Sequence, residues 1–237
     1  MKSQDEVKQL LGREAVDRYV KKGMKIGLGT GSTAVWAVRR LGELLKTGKL
    51  SDILAVSTSS QTIIECQKLG IPIRSINDPE IDGVLDLTID GADEVDHDLN
   101  CTKGGGGALL IEKIVAYASK KYVIIVNKEK IVEHLGITFP IPLEVIPEAR
   151  VPVIRAVEAL GAKPEVRMAV KKMGAVITDN GNILIDAAFS SPVDPEEYEG
   201  ILNRIPGIVE NGFFTKIKPD VITGSSDGSI EVIRPGT

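Results

Sequence analysis

The clearest chemical signal in the sequence is a glycine run followed, at helical distance, by a carboxylate. Lys103 precedes four glycines at positions 104–107, and Glu112 follows within a predicted helix. Glycine loses the most conformational freedom on folding, so a loop that keeps four of them indicates backbone amides placed close to a ligand. Glu112 is then a candidate acid or base for that ligand. The alternative is that Glu112 only complements the dipole of its helix.

An acidic loop follows a predicted strand at 85–89 and begins with Asp90, Gly91, Ala92 and Asp93. Ligands of open α/β sheets bind outside the carboxyl ends of the strands. Asp90 and Asp93 are therefore placed where a substrate would lie. The alternative is an ordinary solvated acidic loop.

A third candidate loop, with glycines at 27, 29 and 31, lies between a predicted strand and a predicted helix. Its second half consists of Thr30, Gly31, Ser32 and Thr33. Amides at a helix N-terminus, together with threonine and serine hydroxyls, suit a phosphate group. The alternative is a tight turn that binds nothing.

These loops depart from the common cofactor motifs. Ser32 stands where the dinucleotide fingerprint has its third glycine, and the second strand ends in 57–60 without the acidic residue that holds a ribose. No Gly-Lys-Ser/Thr follows the first loop, so an NTP-binding P-loop is disfavoured. A calcium loop starting at Asp96 would need glycine and glutamate where Cys101 and Gly107 stand. We therefore expect no cofactor.

Composition narrows the chemistry further. The 237 residues carry a net charge of −4 and no long basic run, which argues against a nucleic-acid partner. Two cysteines, Cys66 and Cys101, are too few for a disulfide scaffold, and two histidines, His97 and His134, give little material for a zinc site. Carboxylates and lysines must therefore carry the chemistry.

The sequence shows no sign of export or membrane insertion. Its N-terminal segment is polar and acidic, and no stretch approaches the ~20 apolar residues of a membrane span. We therefore expect a cytoplasmic protein without a membrane partner.

The elements that must position these loops alternate along the first half of the chain. Apolar residues recur at helical spacing in some segments and form short continuous runs in others. The predicted helices are 7–20, 33–45, 60–69 and 108–121, and the predicted strands are 24–28, 53–57, 85–89 and 122–126. This alternation indicates an α/β fold with a Rossmann-like parallel sheet and helices on both faces.

From about Ile141 the rhythm changes. A strand, a helix, two strands about the turn at 179–182, a second helix and a last strand give the order βαββαβ, the ferredoxin-like split unit. We therefore predict a smaller α+β domain at 137–207, serving as a lid or for oligomerisation. It would be inserted in an α/β catalytic domain made of 1–136 and 208–237.

The segments GLGTGSTA, TIDGADEVD and KGGGGALLIEKIVA occur in this order, and together they resemble ribose-5-phosphate isomerase of the A type. The resemblance runs through most of the chain. It implies interconversion of ribose 5-phosphate and ribulose 5-phosphate in the non-oxidative pentose phosphate pathway, without metal or cofactor. It also implies a homodimer or homotetramer whose partner is a small-molecule sugar phosphate.

The resemblance also assigns residues. Glu112 would be the proton-transferring base, and Asp90, Asp93 and Lys103 would be the other catalytic residues. The residues that would bind the substrate are Thr30, Gly31, Ser32, Thr33, Asp90, Gly91, Ala92, Asp93, Lys103, Gly104, Gly105, Gly106 and Lys130.

These residue types suit the implied reaction. An aldose becomes a ketose when a base removes the C2 proton, an enediolate forms and a proton returns to C1. Glu112 can do both transfers from one face, while Lys103 and the glycine-loop amides stabilise the oxyanion. Asp90, assisted by Asp93, would open the sugar ring. Lys103 could instead form a Schiff base with the open-chain carbonyl.

Two other functions fit the same loops. One is a non-catalytic sugar-phosphate sensor. The other, by fold-level analogy, is an acyl or CoA transferase with Glu112 as its nucleophile. Turnover of ribose 5-phosphate, transfer of a thioester acyl group, or binding without turnover would separate the three.

Isomerase activity should survive exhaustive chelation, because the His, Cys and carboxylate spacings contain no metal-binding pattern. The measurement is turnover of ribose 5-phosphate before and after dialysis against EDTA. Activity that disappears with EDTA and returns with a divalent ion would contradict the prediction.

Overall fold

The computed structural model describes residues 1–236, which fold into two compact units. The first unit contains Met1–Ala92, Ile111–Lys130 and the segment from Ile217 onward. The second contains Asp93–Leu110 and Ile131–Lys216. It therefore includes all of 137–207, and a separate lid or oligomerisation role for 137–207 stays a prediction.

Helices and strands alternate through most of the chain. The helices found in residues 1–236 are α1 (Gln4–Tyr19), α2 (Ala34–Lys46), α3 (Ser60–Leu69), α4 (Leu109–Tyr117), α5 (Arg150–Ala159) and α6 (Pro195–Leu202). Short 3₁₀ turns lie at Lys128–Lys130 and Pro147–Ala149. The strands are β1 (Lys25–Leu28), β2 (Leu54–Ser57), β3 (Ile73–Arg74), β4 (Leu87–Asp90), β5 (Glu94–Val95), β6 (Cys101–Thr102), β7 (Tyr122–Asn127), β8 (Ile141–Val145), β9 (Ala162–Val166), β10 (Ile183–Phe189), β11 (Ile208–Asn211), β12 (Phe213–Phe214), β13 (Asp220–Gly224) and β14 (Ile230–Ile233).

The first unit is built on a seven-stranded sheet in the order β14-β13-β7-β4-β1-β2-β3. Its neighbouring strands are parallel, except that β13 and β14 form an antiparallel hairpin. Side chains alternate between the two faces of a strand. Ala55 packs in the core formed with α1, α2 and α3, whereas the next residue, Val56, packs with Val115 of α4. Helices therefore cover both faces, and the predicted α/β fold is confirmed.

One helix is shorter than expected. The apolar spacing predicts a helix from 108 to 121, but α4 ends at Tyr117. The Ser119 hydroxyl bonds the Thr88 hydroxyl at 2.7 Å, and the Lys120 N–H donates to the Leu85 carbonyl at 2.9 Å. The prediction was wrong here because these contacts, with Thr88 of β4 and with Leu85 just before β4, draw the chain out of the helix.

The second unit contains a four-stranded antiparallel sheet in the order β11-β8-β10-β9. Its elements follow one another as β8, α5, β9, β10, α6 and β11, which is the predicted βαββαβ order, although β9 lies at 162–166 and not directly before the turn at 179–182. Leu143 and Ile185 share a buried core with the two helices. By alternation, Pro142 and Leu184 point to the other face, where they contact the glycine run at 104–107. This face of the sheet therefore packs against the glycine run.

The turn at 179–182 is held by a buried carboxylate. Oε1 of Glu144 accepts hydrogen bonds from Thr178, Asn180 and Asn182 at 2.9, 3.0 and 2.8 Å. The strand expected directly before this turn is reduced to isolated bridges. Side-chain bonds to Glu144, rather than a continuous ladder, therefore shape this part of the chain.

The cysteines lie in the interior as thiols. Burial raises the pKa of the Cys66 thiol to about 12, so this residue has no nucleophilic character at neutral pH. Among residues 1–236, no helix combines the length and apolar character needed to cross a membrane.

Candidate active site

Asp90 closes the carboxyl end of β4 and is fully buried. Its Oδ1 accepts hydrogen bonds from the backbone N–H of Thr30 at 3.0 Å and from that of Gly91 at 2.7 Å. Two backbone donors therefore fix the orientation of this carboxylate. They also join the loop after β1 to the loop after β4.

Gly29 is required by this contact. A Cβ atom at Gly29 would lie 2.0 Å from Oδ1 of Asp90 and 2.6 Å from the α-carbon of that residue. The sequence suggests that the glycines of this loop admit an anionic ligand. At Gly29 the anion is the protein's own carboxylate, whereas Gly31 is needed for its left-handed backbone, with φ of +107°.

The Thr30 hydroxyl belongs to a buried network. It lies 2.7 Å from the hydroxyl of Thr58 and donates to that of Ser59 at 2.6 Å. The adjacent Gly31 N–H donates to Oε1 of Gln61 at 3.1 Å. These bonds connect the loop after β1 to the start of α3, so the Thr30 hydroxyl holds the loop in place. Direct contact of Thr30 with a substrate stays a prediction.

A lysine that the sequence analysis missed stands beside this loop. Nζ of Lys8 donates to Oγ of Ser32 at 3.1 Å, and the side chain is 18% exposed. Lys8 lies on α1, 24 positions before Ser32, and no local motif marks it. Lys8 thus adds a positive charge beside the N-terminus of α2, where an anion is favoured, although the N–H groups of Val35 and Trp36 already donate to the carbonyls of Gly31 and Thr33.

Glu112 lies in the first turn of α4 and is 4% exposed. The helix is anchored by Val115, whose side chain lies where a Cβ at Gly27 of β1 would come within 2.5 Å. Glu112 is therefore a buried carboxylate on a helix that packs against β1. Lys130, by contrast, lies in the exposed 3₁₀ turn after β7.

In the second unit, Lys103 leads into the glycine run and is 2% exposed. Its N–H donates to the carbonyl of Gly212 at 2.9 Å, and its Nζ lies 5.6 Å from the ring centroid of Phe214. Gly212 has no room for a side chain, because a Cβ there would lie 2.5 Å from the Lys103 carbonyl. Backbone contacts therefore set the direction of this lysine.

Asp93 contacts the glycine run directly. Its Oδ2 accepts a hydrogen bond from the Gly105 N–H at 2.7 Å, and its own N–H donates to the Thr102 carbonyl at 2.8 Å. Gly104 has a φ of +104°, which only glycine adopts readily. The structure thus brings Asp90, Gly91 and Thr30 together in the first unit, and Asp93 and Gly105 together in the second.

The chain is similar to proteins of one family along nearly its whole length. A family model described as ribose 5-phosphate isomerase A (phosphoriboisomerase A) matches residues 54–228. The chain is 52% identical to the ribose-5-phosphate isomerase A of Treponema denticola, over 95% of this chain and 98% of that protein.

The chain belongs to the ribose 5-phosphate isomerase A family. The resemblance seen in the sequence is thereby confirmed.

Solved structures of this family agree along the whole chain. A D-ribose-5-phosphate isomerase in complex with phospho-erythronic acid superposes with a TM-score of 0.92 at 43% identity, covering 97% of this chain and 98% of that one. The ribose 5-phosphate isomerase A of Methanocaldococcus jannaschii gives a TM-score of 0.91 at 39% identity, covering 98% of this chain and all of that one. The fold predicted from the sequence is the fold of the family.

Gly29→Ala should disturb the anchor of Asp90. The added methyl overlaps the carboxylate, so we expect a loss of about 1–3 kcal/mol in the free energy of unfolding and at least a tenfold loss of isomerase activity. Thermal unfolding and turnover of ribose 5-phosphate measure the two effects.

Gly200→Ala is the matched control. Gly200 lies inside α6 with nothing within 4 Å of a new Cβ, so the substitution should raise stability by up to about 1 kcal/mol and leave activity unchanged. Wild-type stability and activity in Gly29→Ala would show that the close approach to Asp90 has no consequence.

Proposed function

We propose that this chain interconverts D-ribose 5-phosphate and D-ribulose 5-phosphate, with Glu112 as the base that carries the proton. The observation that supports this most directly is a buried carboxylate in the first turn of the helix after the glycine run, in a chain of this family. A buried, anchored carboxylate is suited to repeated proton transfer at one position.

The chemistry needs one base on one face of the sugar. Glu112 takes the proton from C2 of the open-chain aldose, which leaves an enediolate. The proton of the C2 hydroxyl passes to the C1 oxygen, and the resulting carboxylic acid of Glu112 returns a proton to C1, so that C2 becomes the carbonyl carbon. A positioned general base typically contributes about 10²–10⁴-fold to a rate. The remaining acceleration must come from stabilising the negative charge that develops on oxygen.

Lys103 and the amides of the glycine run would supply that stabilisation. The lysine is almost fully buried, and a charge interacts more strongly in such surroundings than in water. The glycine run is already ordered by the side chain of Asp93, which accepts from the Gly105 N–H, so its amides need not reorganise during the reaction. This assignment favours electrostatic stabilisation by Lys103 over a Schiff base, because proton transfer by Glu112 requires no covalent step.

Ring opening precedes isomerisation, and we assign it to Asp90 with help from Asp93. Asp90 is held by two backbone donors at Oδ1. Asp93 holds the Gly105 amide through Oδ2, so its contribution would combine ring opening with support of the loop.

The phosphate group would bind at the loop between β1 and α2. Ser32 and Thr33 supply hydroxyls and N–H groups at the start of α2, and Lys8 supplies a positive charge beside Ser32. Lys130 would supply a second positive charge from its exposed turn. Gly91, Ala92, Gly104 and Gly106 would line the sugar through backbone groups.

A cytoplasmic location and assembly as a homodimer or homotetramer also remain predictions.

Glu112→Gln preserves the shape of the side chain but removes the base. We expect kcat to fall by about 10²-fold or more, with little change in affinity for the sugar phosphate. Wild-type turnover in D₂O should place deuterium at C1 of the ketose, to the extent that the carboxyl proton exchanges before delivery.

Glu43→Gln, on the exposed face of α2, is the control and should behave as wild type. Near-normal turnover in Glu112→Gln would move the base elsewhere, with Asp90 and Asp93 the next candidates. A ketose without solvent deuterium would indicate a hydride shift.

Lys130→Ala and Lys8→Ala should raise KM much more than they lower kcat, because both lysines are assigned to the phosphate and not to the reacting carbons. Lys46→Ala, at the exposed end of α2, serves as the control for loss of a surface charge. Steady-state kinetics with ribose 5-phosphate gives both parameters. A large fall in kcat at constant KM would assign either lysine to the chemical step.

A further inference from the structure

The peptide group between Gly104 and Gly105 is held at both ends by side chains of opposite charge. Its carbonyl accepts a hydrogen bond from Nη1 of Arg167 at 2.9 Å, and its N–H donates to Oδ2 of Asp93 at 2.7 Å. The carbonyl and the N–H of a trans peptide point in opposite directions. Guanidinium and carboxylate therefore hold this peptide between them and oppose its rotation.

The same guanidinium nitrogen also holds the next peptide. Nη1 of Arg167 donates to the carbonyl of Gly105 at 3.1 Å. That carbonyl therefore faces the arginine, and the N–H of Gly106, in the same peptide, faces the opposite way. A single side chain thus sets the direction of two successive peptides of the run.

Arg167 is itself held rigidly. Its Nε donates to Oδ2 of Asp186 at 2.8 Å, and its Nη2 forms a second, shorter bond to Oδ1 of the same carboxylate. This two-pronged pairing uses the planar fork that lysine lacks. Asp186 lies on β10, and the Arg167 N–H donates to the Leu184 carbonyl of that strand at 2.9 Å. The carboxylate that holds the clamp therefore lies on a strand of the sheet, and Arg167 itself follows directly after β9.

The bonds from Arg167 restrict the backbone freedom that is specific to glycine. Glycine populates positive and negative φ about equally, so an unrestrained run samples several peptide orientations. Amides that stabilise an oxyanion must be oriented before the charge develops. A partly buried arginine, 18% exposed, bonded to two glycine carbonyls removes that freedom.

We propose that Arg167, held by Asp186, is a positioning residue of the active site. It contacts no substrate, but it fixes two peptides of the glycine run so that the Gly106 N–H meets the developing oxyanion, while the Gly105 N–H stays bonded to Asp93. The inference rests on the proposed isomerase function for its kinetic consequence. The orientation of the loop itself can be measured without that function.

Arg167→Ala should lower kcat by about 10- to 100-fold, the effect expected when a catalytic group is displaced slightly. KM should change less, because the phosphate is held by a different loop. Methylguanidinium at millimolar concentration should restore part of the activity.

Arg167→Lys keeps the charge but loses the planar fork, so its kcat should lie between those of the alanine variant and wild type. Asp186→Asn should lower kcat because it weakens the anchor of Arg167.

Lys163→Ala is the matched control. Lys163 lies on β9 in an exposed pair with Glu165 and should leave kcat and KM unchanged. Thermal unfolding of every variant shows how much of each loss comes from stability. Unchanged kcat in folded Arg167→Ala or Arg167→Lys overturns the proposal. So does a loss that methylguanidinium does not restore and that follows the fall in melting temperature.

Amide hydrogen exchange separates this inference from the proposed function. In Arg167→Ala, the Gly105 and Gly106 amides should exchange at least tenfold faster than in wild type, whereas those of β10 should keep their rates. If wild type does not isomerise ribose 5-phosphate, the proposed function fails, and unchanged exchange at Gly105 would then overturn the clamp as well.

Discussion

The contact between Gly29 and Asp90 determines how the carboxyl edge of the large sheet is assembled. Because no Cβ separates them, the carboxylate of Asp90 reaches the N–H of Thr30, and the loops after two adjacent parallel strands become one hydrogen-bonded structure. The Thr30 hydroxyl extends this structure through Thr58 and Ser59 to the loop after β2. The loop after β1, to which we assign the phosphate, thus rests on a support that is already ordered.

The second unit differs, since its glycine run at 104–107 has little intrinsic conformational preference. Here the order comes from charged side chains bonded to the backbone, with Asp93 on one side of a peptide and Arg167 on the other. Lys103 is fixed by the carbonyl of Gly212. In both units, then, electrostatic groups are positioned before any ligand arrives, which is the condition for effective stabilisation of a transient charge.

The sequence predicted the alternating elements well, because short apolar runs and helical spacing are local signals. It also identified the three loops, since glycine and carboxylate residues lie together along the chain. It could not identify Lys8, which meets Ser32 across 24 positions, or Arg167, which meets Gly104 across 63. The end of α4 was missed for the same reason. Ser119 bonds Thr88 of β4 and Lys120 bonds Leu85 just before that strand, and both contacts join segments that are distant in the sequence. Contacts between segments that are distant in the sequence determine the positions of Lys8 and Arg167 and the end of α4, and the spacing of residues along the chain does not predict such contacts.

The path of the chain between the two units limits how such a protein can change over time. The chain passes from one unit to the other after Ala92, Leu110, Lys130 and Lys216. The first passage falls inside the acidic motif, and the second falls between the glycine run and Glu112. Neither unit is a continuous piece of sequence, so a single recombination event could not exchange one of them for a foreign module. Exchange of a whole unit would require crossovers at each of these passages.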